Sequence, residues 1–277
     1  MDAVGEAVPR PYTGRGTFKA MTNLFSIEGK TAVVTGGSRG IGLMIARGMV
    51  EAGANVYISA RKADACDAAA AELSKSGTCT SIPADLGTEA GCRFLADEIG
   101  KREQGLHILV NNAGANWGAP MDVFPDSGFD KVFAVNVKGV FHLTRFLVPL
   151  LENAATDDDP ARVINIGSID GLQAPMLDTF SYSSSKAAVH HLTRVLAHKL
   201  AAKRITVNAI APGPFESKMM AETLERFGDS IRASNPLGRI GRPEDMAGTA
   251  IFLSSRAGSY LTGTVIPVDG GISTRHD

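Results

Sequence analysis

The stretch Thr35-Gly36-Gly37-Ser38-Arg39-Gly40-Ile41-Gly42 follows the apolar run Thr31-Ala32-Val33-Val34 and precedes Leu43-Met44-Ile45-Ala46, which has helical character. The order is strand, glycine turn, helix. Gly36 permits the sharp turn off the strand, Gly40 lets backbone amides approach a pyrophosphate, and Gly42 removes the side chain that would separate helix from sheet. The helix N-terminus then offers unpaired N–H groups and a partial positive charge to an anion. A glycine turn alone is a weak signal, but strand before and helix after supply the context that a dinucleotide site requires.

Outward from this turn, apolar runs predict strands near Thr31–Thr35, Asn55–Ser59, Cys79–Pro83, His107–Asn111, Arg162–Gly167, Thr206–Ile210 and Val265–Val268. Helices are expected near Ile41–Ala52, Ala63–Ser76, Glu89–Arg102, Phe129–Asn153, Tyr182–Ala202 and Pro243–Ser255. Short Val/Ile-rich strands alternating with helices define an α/β class: a single-domain, Rossmann-like doubly wound parallel sheet with helices on both faces. Ligands of such sheets sit beyond the C-terminal ends of the strands. Residues 1–23, rich in Gly, Pro and Arg, read as a flexible extension. Residues 24–277 read as a dinucleotide-binding catalytic domain with a substrate lid near 214–236.

The chain has 277 residues, 44% of them hydrophobic, which suits one domain with an ample core. With 28 basic and 29 acidic residues the formal net charge is -1, so there is no global field for nucleic acid or anionic lipid. No stretch reads as a membrane span and the N-terminus lacks a secretory core, so a soluble, cytoplasmic chain is expected. Cys66, Cys79 and Cys92 form no CxxC pair and no metal site is expected. His190, His191 and His198 lie in a helical pattern and are expected at the surface or an interface.

The remaining signals fall at strand ends. The second strand closes in Ser59-Ala60-Arg61, where an NAD site would place an acid on the ribose 2′-OH. Ala60 carries no repelling carboxylate, and Arg61 and Arg39 offer guanidinium donors to a 2′-phosphate, which points to NADP(H). The third strand ends in Asp85-Leu86, whose acid suits an adenine amino group. The fourth ends in Asn111-Asn112-Ala113-Gly114, where small residues let a flat ring lie against backbone.

The fifth strand delivers Ser168, and fourteen residues later Tyr182 and Lys186 stand four apart on one helical face. Those types suit hydride reduction of a ketone. The alkoxide formed must take a proton, and a phenol supplies it only if its anion is stabilised. A free phenol titrates near about 10, so the Lys186 ammonium is expected to lower it. Ser168 would hold the carbonyl oxygen. Asn136, a lone amide in an apolar run, would hold a water linked to Lys186.

Together TGGSRGIG, NNAG, the Asn136, Ser168, Tyr182 and Lys186 set and APGPFESKM resemble the short-chain dehydrogenase/reductase family from Lys30 to Gly271. Within it the chain is most similar to NADPH-dependent 3-oxoacyl-acyl carrier protein reductases. The resemblance implies a cofactor site of Gly36, Ser38, Arg39, Gly40, Ile41, Arg61, Asp85, Leu86, Asn112, Ala113, Gly114, Tyr182, Lys186, Pro212, Gly213 and Ser217. It places Asn111 beside the cofactor as well. Ser217 stands where the family usually has threonine and keeps the hydroxyl. A homotetramer is implied too, through helices near Phe129–Asn153 and Tyr182–Ala202 together with the C-terminal segment.

Substrate selectivity is expected in Asn116-Trp117, in Gln173 to Phe180, and in Phe215, Met219, Met220, Leu224 and Phe227. These suit an acyl chain, and equally an amphipathic lid packed on its own domain. A small-molecule carbonyl or acyl thioester is the expected partner; sugars, polyols and steroids remain open. A catalytically silent NADP-binding sensor is the alternative from another class, disfavoured because a sensor has no need of Tyr182 and Lys186.

Overall fold

The computed structural model describes residues 23–217 and 220–274. The expected N-terminal extension, Asn23 apart, and Met219 of the expected lid lie outside them. Seven parallel strands form one sheet: β1 (Thr31–Thr35), β2 (Asn55–Ser59), β3 (Cys79–Ser81), β4 (Ile108–Asn111), β5 (Ala161–Ile166), β6 (Ile205–Pro212) and β7 (Val265–Val268). Their order is β3-β2-β1-β4-β5-β6-β7, so the winding reverses between β1 and β4. The crevice outside that reversal is where such sheets bind ligands.

Successive strand residues point to opposite faces, and each face has its own core. Val34, Ile58, Ile164 and Ile210 pack beneath α1 (Gly40–Glu51), α2 (Ala63–Leu73) and, later in the chain, α8 (Pro243–Ser254). Val33, Leu109, Val163 and Val207 pack on the other side against α3 (Glu89–Gly100), α5 (Val140–Ala154) and α6 (Phe180–Leu200). Each such side chain removed from water contributes about 1.5–3 kcal/mol. A strand buried on both faces explains the unbroken apolar runs of the sequence.

The single helix expected near Phe129–Asn153 is interrupted. Helix α4 (Asp126–Phe133) runs through a π-helical turn at Ala134–Gly139 into α5. The turn re-aims the helix at Asn136, a frequent role of π-bulges at functional positions. Contrary to expectation, this 29-residue run, Asp126–Ala154, is long and apolar enough to cross a membrane by length and composition alone. Its apolar stripe is already used: Val132, Val140, Leu143, Leu147 and Leu151 are buried, the last three in the second core. The segment after β6 folds into a further helix, α7 (Ala221–Ser234).

Candidate active site

The glycine turn is strapped down from both sides. Gly36 N donates to Ser59 O at 2.7 Å, and Asn112 Nδ2 donates to Thr35 O at 2.8 Å. Thr35 Oγ1 accepts from the backbone N–H groups of Asn112 and Ala113, both at 2.9 Å, which ties the ends of β1 and β4 together. Gly36 and Gly40 take φ of +65° and +54°, which L side chains rarely adopt. A Cβ on Gly42 would collide with Gly36 O.

Helix α1 has no side-chain cap and no acid in its first turn, which leaves its N-terminus open to an anion. Arg39 and Arg61 are exposed and have no acidic partner among the described residues. Ser217 lies over the turn, 3.3 Å from where a Cβ on Gly40 would stand. This cradle fits a dinucleotide phosphate, with two guanidinium groups free for a further one.

The other expected cofactor residues divide between rim and core. Ser38 and Ile41 are half-buried in the turn. Asp85 is exposed, and its Oδ1 accepts from Gly87 N at 3.0 Å, shaping the β3 exit. Leu86 turns its side chain into the second core. Pro212 ends β6, and Gly213 N donates to Val268 O at 3.0 Å, which sets the next loop over the sheet edge. Asn111 ends β4 at the rim but turns its side chain into the sheet. Its Nδ2 donates inward to Asn165 Oδ1 at 2.9 Å and Thr144 Oγ1 at 3.1 Å, while Asn165 donates to Thr193 Oγ1 at 2.9 Å. Phe215, expected in the substrate region, is buried in the first core, its ring filling the space above Gly241.

Ser168, Tyr182 and Lys186 converge at the end of β5. Ser168 caps a short turn, Ile169–Gly171, by accepting from Asp170 N at 3.1 Å. Tyr182 and Lys186 lie one turn apart on α6, the ammonium 5.4 Å from the phenol ring centre. Lys186 is buried and donates to Ile166 O at 2.7 Å. Burial pulls this amine down to about 8, opposed by the nearby Asp170 carboxylate. Burial pushes the Tyr182 phenol up to about 12; a hydrogen bond with Ser168 works against this and Asp170 adds to it. The lowering expected from Lys186 is absent here: the ammonium is not among the groups that move this phenol, and desolvation sets the direction.

Asn136 is buried, and both its amide hydrogens are committed, to Ala115 O at 3.0 Å and Ser185 Oγ at 2.9 Å. Its Oδ1 accepts from Ala115 N at 2.8 Å, which leaves one lone pair for a water. A Cβ on Gly114 would stand 3.4 Å from that oxygen and 3.8 Å from Lys186 Nζ, so both border the same small space.

Three participants escaped the sequence reading. Thr35 ties two strand ends, Ser185 holds Asn136, and Asp170 carries a charge into the centre. His190, expected at the surface or an interface, is buried inside the chain, with its ring against Gly167 and Gly171. Burial brings its imidazole down to about 4, so it stays neutral. The signal existed: His190 follows Lys186 by four residues and shares its helical face.

A strand-ended glycine cradle beside a serine, tyrosine and lysine is the arrangement of a nucleotide-dependent oxidoreductase. Residues 36–273 match the family model described as enoyl-(acyl carrier protein) reductase, and the chain belongs to the short-chain dehydrogenase/reductase family of oxidoreductases. It is 51% identical over 249 residues to the rhamnolipids biosynthesis 3-oxoacyl-[acyl-carrier-protein] reductase of Pseudomonas aeruginosa, covering 89% of this chain and 97% of that one. The solved complex of Pseudomonas aeruginosa RhlG with NADP superposes with a TM-score of 0.88 at 50% identity, over 91% of this chain and 100% of that one. A gluconate 5-dehydrogenase from Burkholderia cenocepacia, solved with NADP and tartrate, superposes with a TM-score of 0.85 at 31% identity, over 92% and 99%.

Proposed function

We propose that this chain is an NADP(H)-dependent reductase of 3-oxoacyl thioesters in which Tyr182 passes a proton to the substrate oxygen. The observation that carries it is the meeting of Ser168, Tyr182 and buried Lys186 on the rim that also bears the open glycine cradle. Gly36 to Ile41 would hold the pyrophosphate, Arg39 and Arg61 the 2′-phosphate, and Asp85 and Leu86 the adenine side. Asn112 to Gly114, Tyr182 and Lys186 would border the ribose, and Pro212, Gly213 and Ser217 the nicotinamide. When bound, NADPH supplies the hydride.

The protein's share is the proton. Ser168 Oγ holds the carbonyl oxygen, and the Tyr182 hydroxyl gives its proton to that oxygen as charge develops there. The phenolate left behind is stabilised by the Lys186 ammonium, whose field is strong because the site is desolvated. Asn136 positions Ala115 and Ser185 beside Lys186 and borders the space through which a water refills the proton.

An acyl chain suits the mouth. The segment after β4 and the Ser168–Tyr182 spacer run together, with Ala119 N donating to Asp178 O at 3.2 Å and Phe124 packed edge-on to Phe180. They expose Met121, Val123, Met176 and Leu177, flexible apolar side chains without polar atoms for a sugar. Trp117 serves the wall, packed over Gly128 beneath Lys131. Helix α7, bearing Leu224 and exposed Phe227, is the lid. Exposed Phe94, Phe141 and Val195 on α3, α5 and α6 are the faces that further copies cover in a homotetramer.

The test is loss of NADPH absorbance with a panel of 3-oxoacyl thioesters, on CoA and on acyl carrier protein, against sugar acids, steroids and simple ketones. Thioesters are expected to give the highest kcat/KM. Turnover of sugar acids with none of thioesters overturns the substrate assignment.

A further inference from the structure

Helix α7 is tied down at its two feet rather than along its length. The chain leaves the sheet after Pro214 and returns at Gly241, whose N–H donates to Pro214 O at 2.9 Å, while Phe215 beside this bridge is sunk in the first core. Between them, no described residue of α7 enters either core. The second foot is Asn235, which ends α7 and is itself buried. Its Nδ2 donates to Asp269 O at 2.8 Å, and its Oδ1 accepts from Leu237 N at 2.9 Å. The Asp269 carboxylate accepts from Gly271 N and Ser273 N, both at 2.9 Å, and so shapes the turn that presents this carbonyl. Gly270 and Gly271, at φ of +66° and +88°, leave room for the foot: a Cβ on Gly270 would collide with the Asn235 amide, and one on Gly271 would stand 3.3 Å from Pro236. On its other side Asp269 presses on Gly213, where a Cβ would stand 2.7 Å from the Asp269 Cβ. The foot of α7 is thereby referenced to the end of β6.

We propose that Asn235 is a positioning residue for the substrate: its bond to Asp269 holds α7 in place at the end of β6 and so sets the affinity for the carbonyl compound. A helix without a core face has little to hold it but its ends, so one buried hydrogen bond at an end carries a large share of its placement. The amide suits the role. It accepts with one end and donates with the other, fixing the turn into Pro236 and the C-terminal turn together. Pro236 in turn keeps Asn235 extended, at φ of -79° and ψ of 127°, which stops the helix at the latch. Asn235 touches no reacting atom, and losing its amide leaves Ser168, Tyr182, Lys186 and the glycine cradle with all the hydrogen bonds described above.

The inference rests on α7 covering the substrate, as proposed above, so helix placement and catalysis are read separately. Hydrogen–deuterium exchange across α7 is measured in the NADP-bound enzyme for the wild type, Asn235→Asp and Asn235→Ala. Alongside it, kcat, KM and the NADPH Kd are measured with the best substrate of the panel above, whatever its class. Both variants are expected to exchange faster across α7 and to raise KM roughly five- to tenfold, the size of one buried hydrogen bond, with kcat and the NADPH Kd near wild type. In Asn235→Asp the new carboxylate opposes the Asp269 carbonyl at neutral pH, but once protonated it donates as the amide did. Its KM relative to wild type is therefore expected to recover as pH falls from about 8 to about 5, whereas the ratio for Asn235→Ala stays flat. Wild-type exchange across α7 in both variants overturns the latch. Faster exchange with an unchanged KM instead overturns α7 as the cover of the substrate, and with it the effect on affinity. Asn235→Ala alone decides both points if Asn235→Asp does not fold.

Discussion

Strand β5 has a buried cation at each end, and the two are treated oppositely. At its start Arg162 is almost fully buried, and all three nitrogens of its guanidinium are hydrogen-bonded. Nε donates to Leu253 O at 3.1 Å, Nη2 to Asp159 Oδ1 and Ser255 O, both at 2.9 Å, and Nη1 to Pro160 O. Lys30 joins from β1's side, bonding Asp159 Oδ2 at 2.8 Å and Ser254 O at 3.0 Å. Two cations thereby cap the C-terminal carbonyls of α8, where the helix dipole is negative. At the other end Lys186 makes one hydrogen bond among the described residues, to Ile166 O. A saturated buried charge is a fastener. An under-satisfied one is held ready for a charge that appears only during reaction.

The comparison breaks first at Tyr182. Tyr182→Phe removes the proposed proton donor, whose anion Lys186 would stabilise, and turnover is expected to fall by about 10²–10⁴-fold. NADPH binding, followed by fluorescence, and the melting temperature are expected to stay near wild type. A matching collapse in stability would make Tyr182 a fastener too. At the opposite end, Arg162→Ala is expected to cost about 3–5 kcal/mol in denaturant unfolding, because Asp159 and the α8 carbonyls lose their partner. Arg162→Lys should recover little, as one ammonium cannot reach four acceptors in that plane. Folded Arg162 variants are expected to keep the wild-type pH profile, since no part of the cluster touches the catalytic rim.

Local chemistry was legible in the sequence where contiguous residues carry it. The glycine turn works through backbone angles and close approach within eight residues, and the Tyr182–Lys186 pair through one helical turn. The sheet followed from strand composition, since a doubly buried strand must be apolar throughout. What could not be read depends on which face of an element meets which neighbour. Arg162 looked like the polar start of a strand until α8's carbonyls arrived from ninety residues away in sequence. Asn136 suggested a water ligand, yet its amide hydrogens are spent on Ala115 and Ser185 through a π-turn that no local pattern announces. Asp170 and His190 became site neighbours only because the Ile169–Gly171 turn folds back onto α6. Phe215 carried the apolar signature of a substrate residue and of a core residue alike, and Gly241 decides for the core.

A third cation sharpens the contrast with a smaller effect. Arg61, just beyond β2, is exposed and unpaired with any acid among the described residues, on the same rim as Lys186. An exposed guanidinium contributes little to stability, so Arg61→Ala is expected to leave unfolding within about 0.5 kcal/mol of wild type. In its proposed role it would make a charge-assisted hydrogen bond to a phosphate, about 1.5–3 kcal/mol, so NADPH is expected to bind roughly ten- to a hundredfold more weakly to Arg61→Ala. NADH, which lacks the 2′-phosphate, should change little. Equal losses for the two cofactors, measured by titration calorimetry, would remove Arg61 from the phosphate and leave Arg39 to carry the selectivity alone.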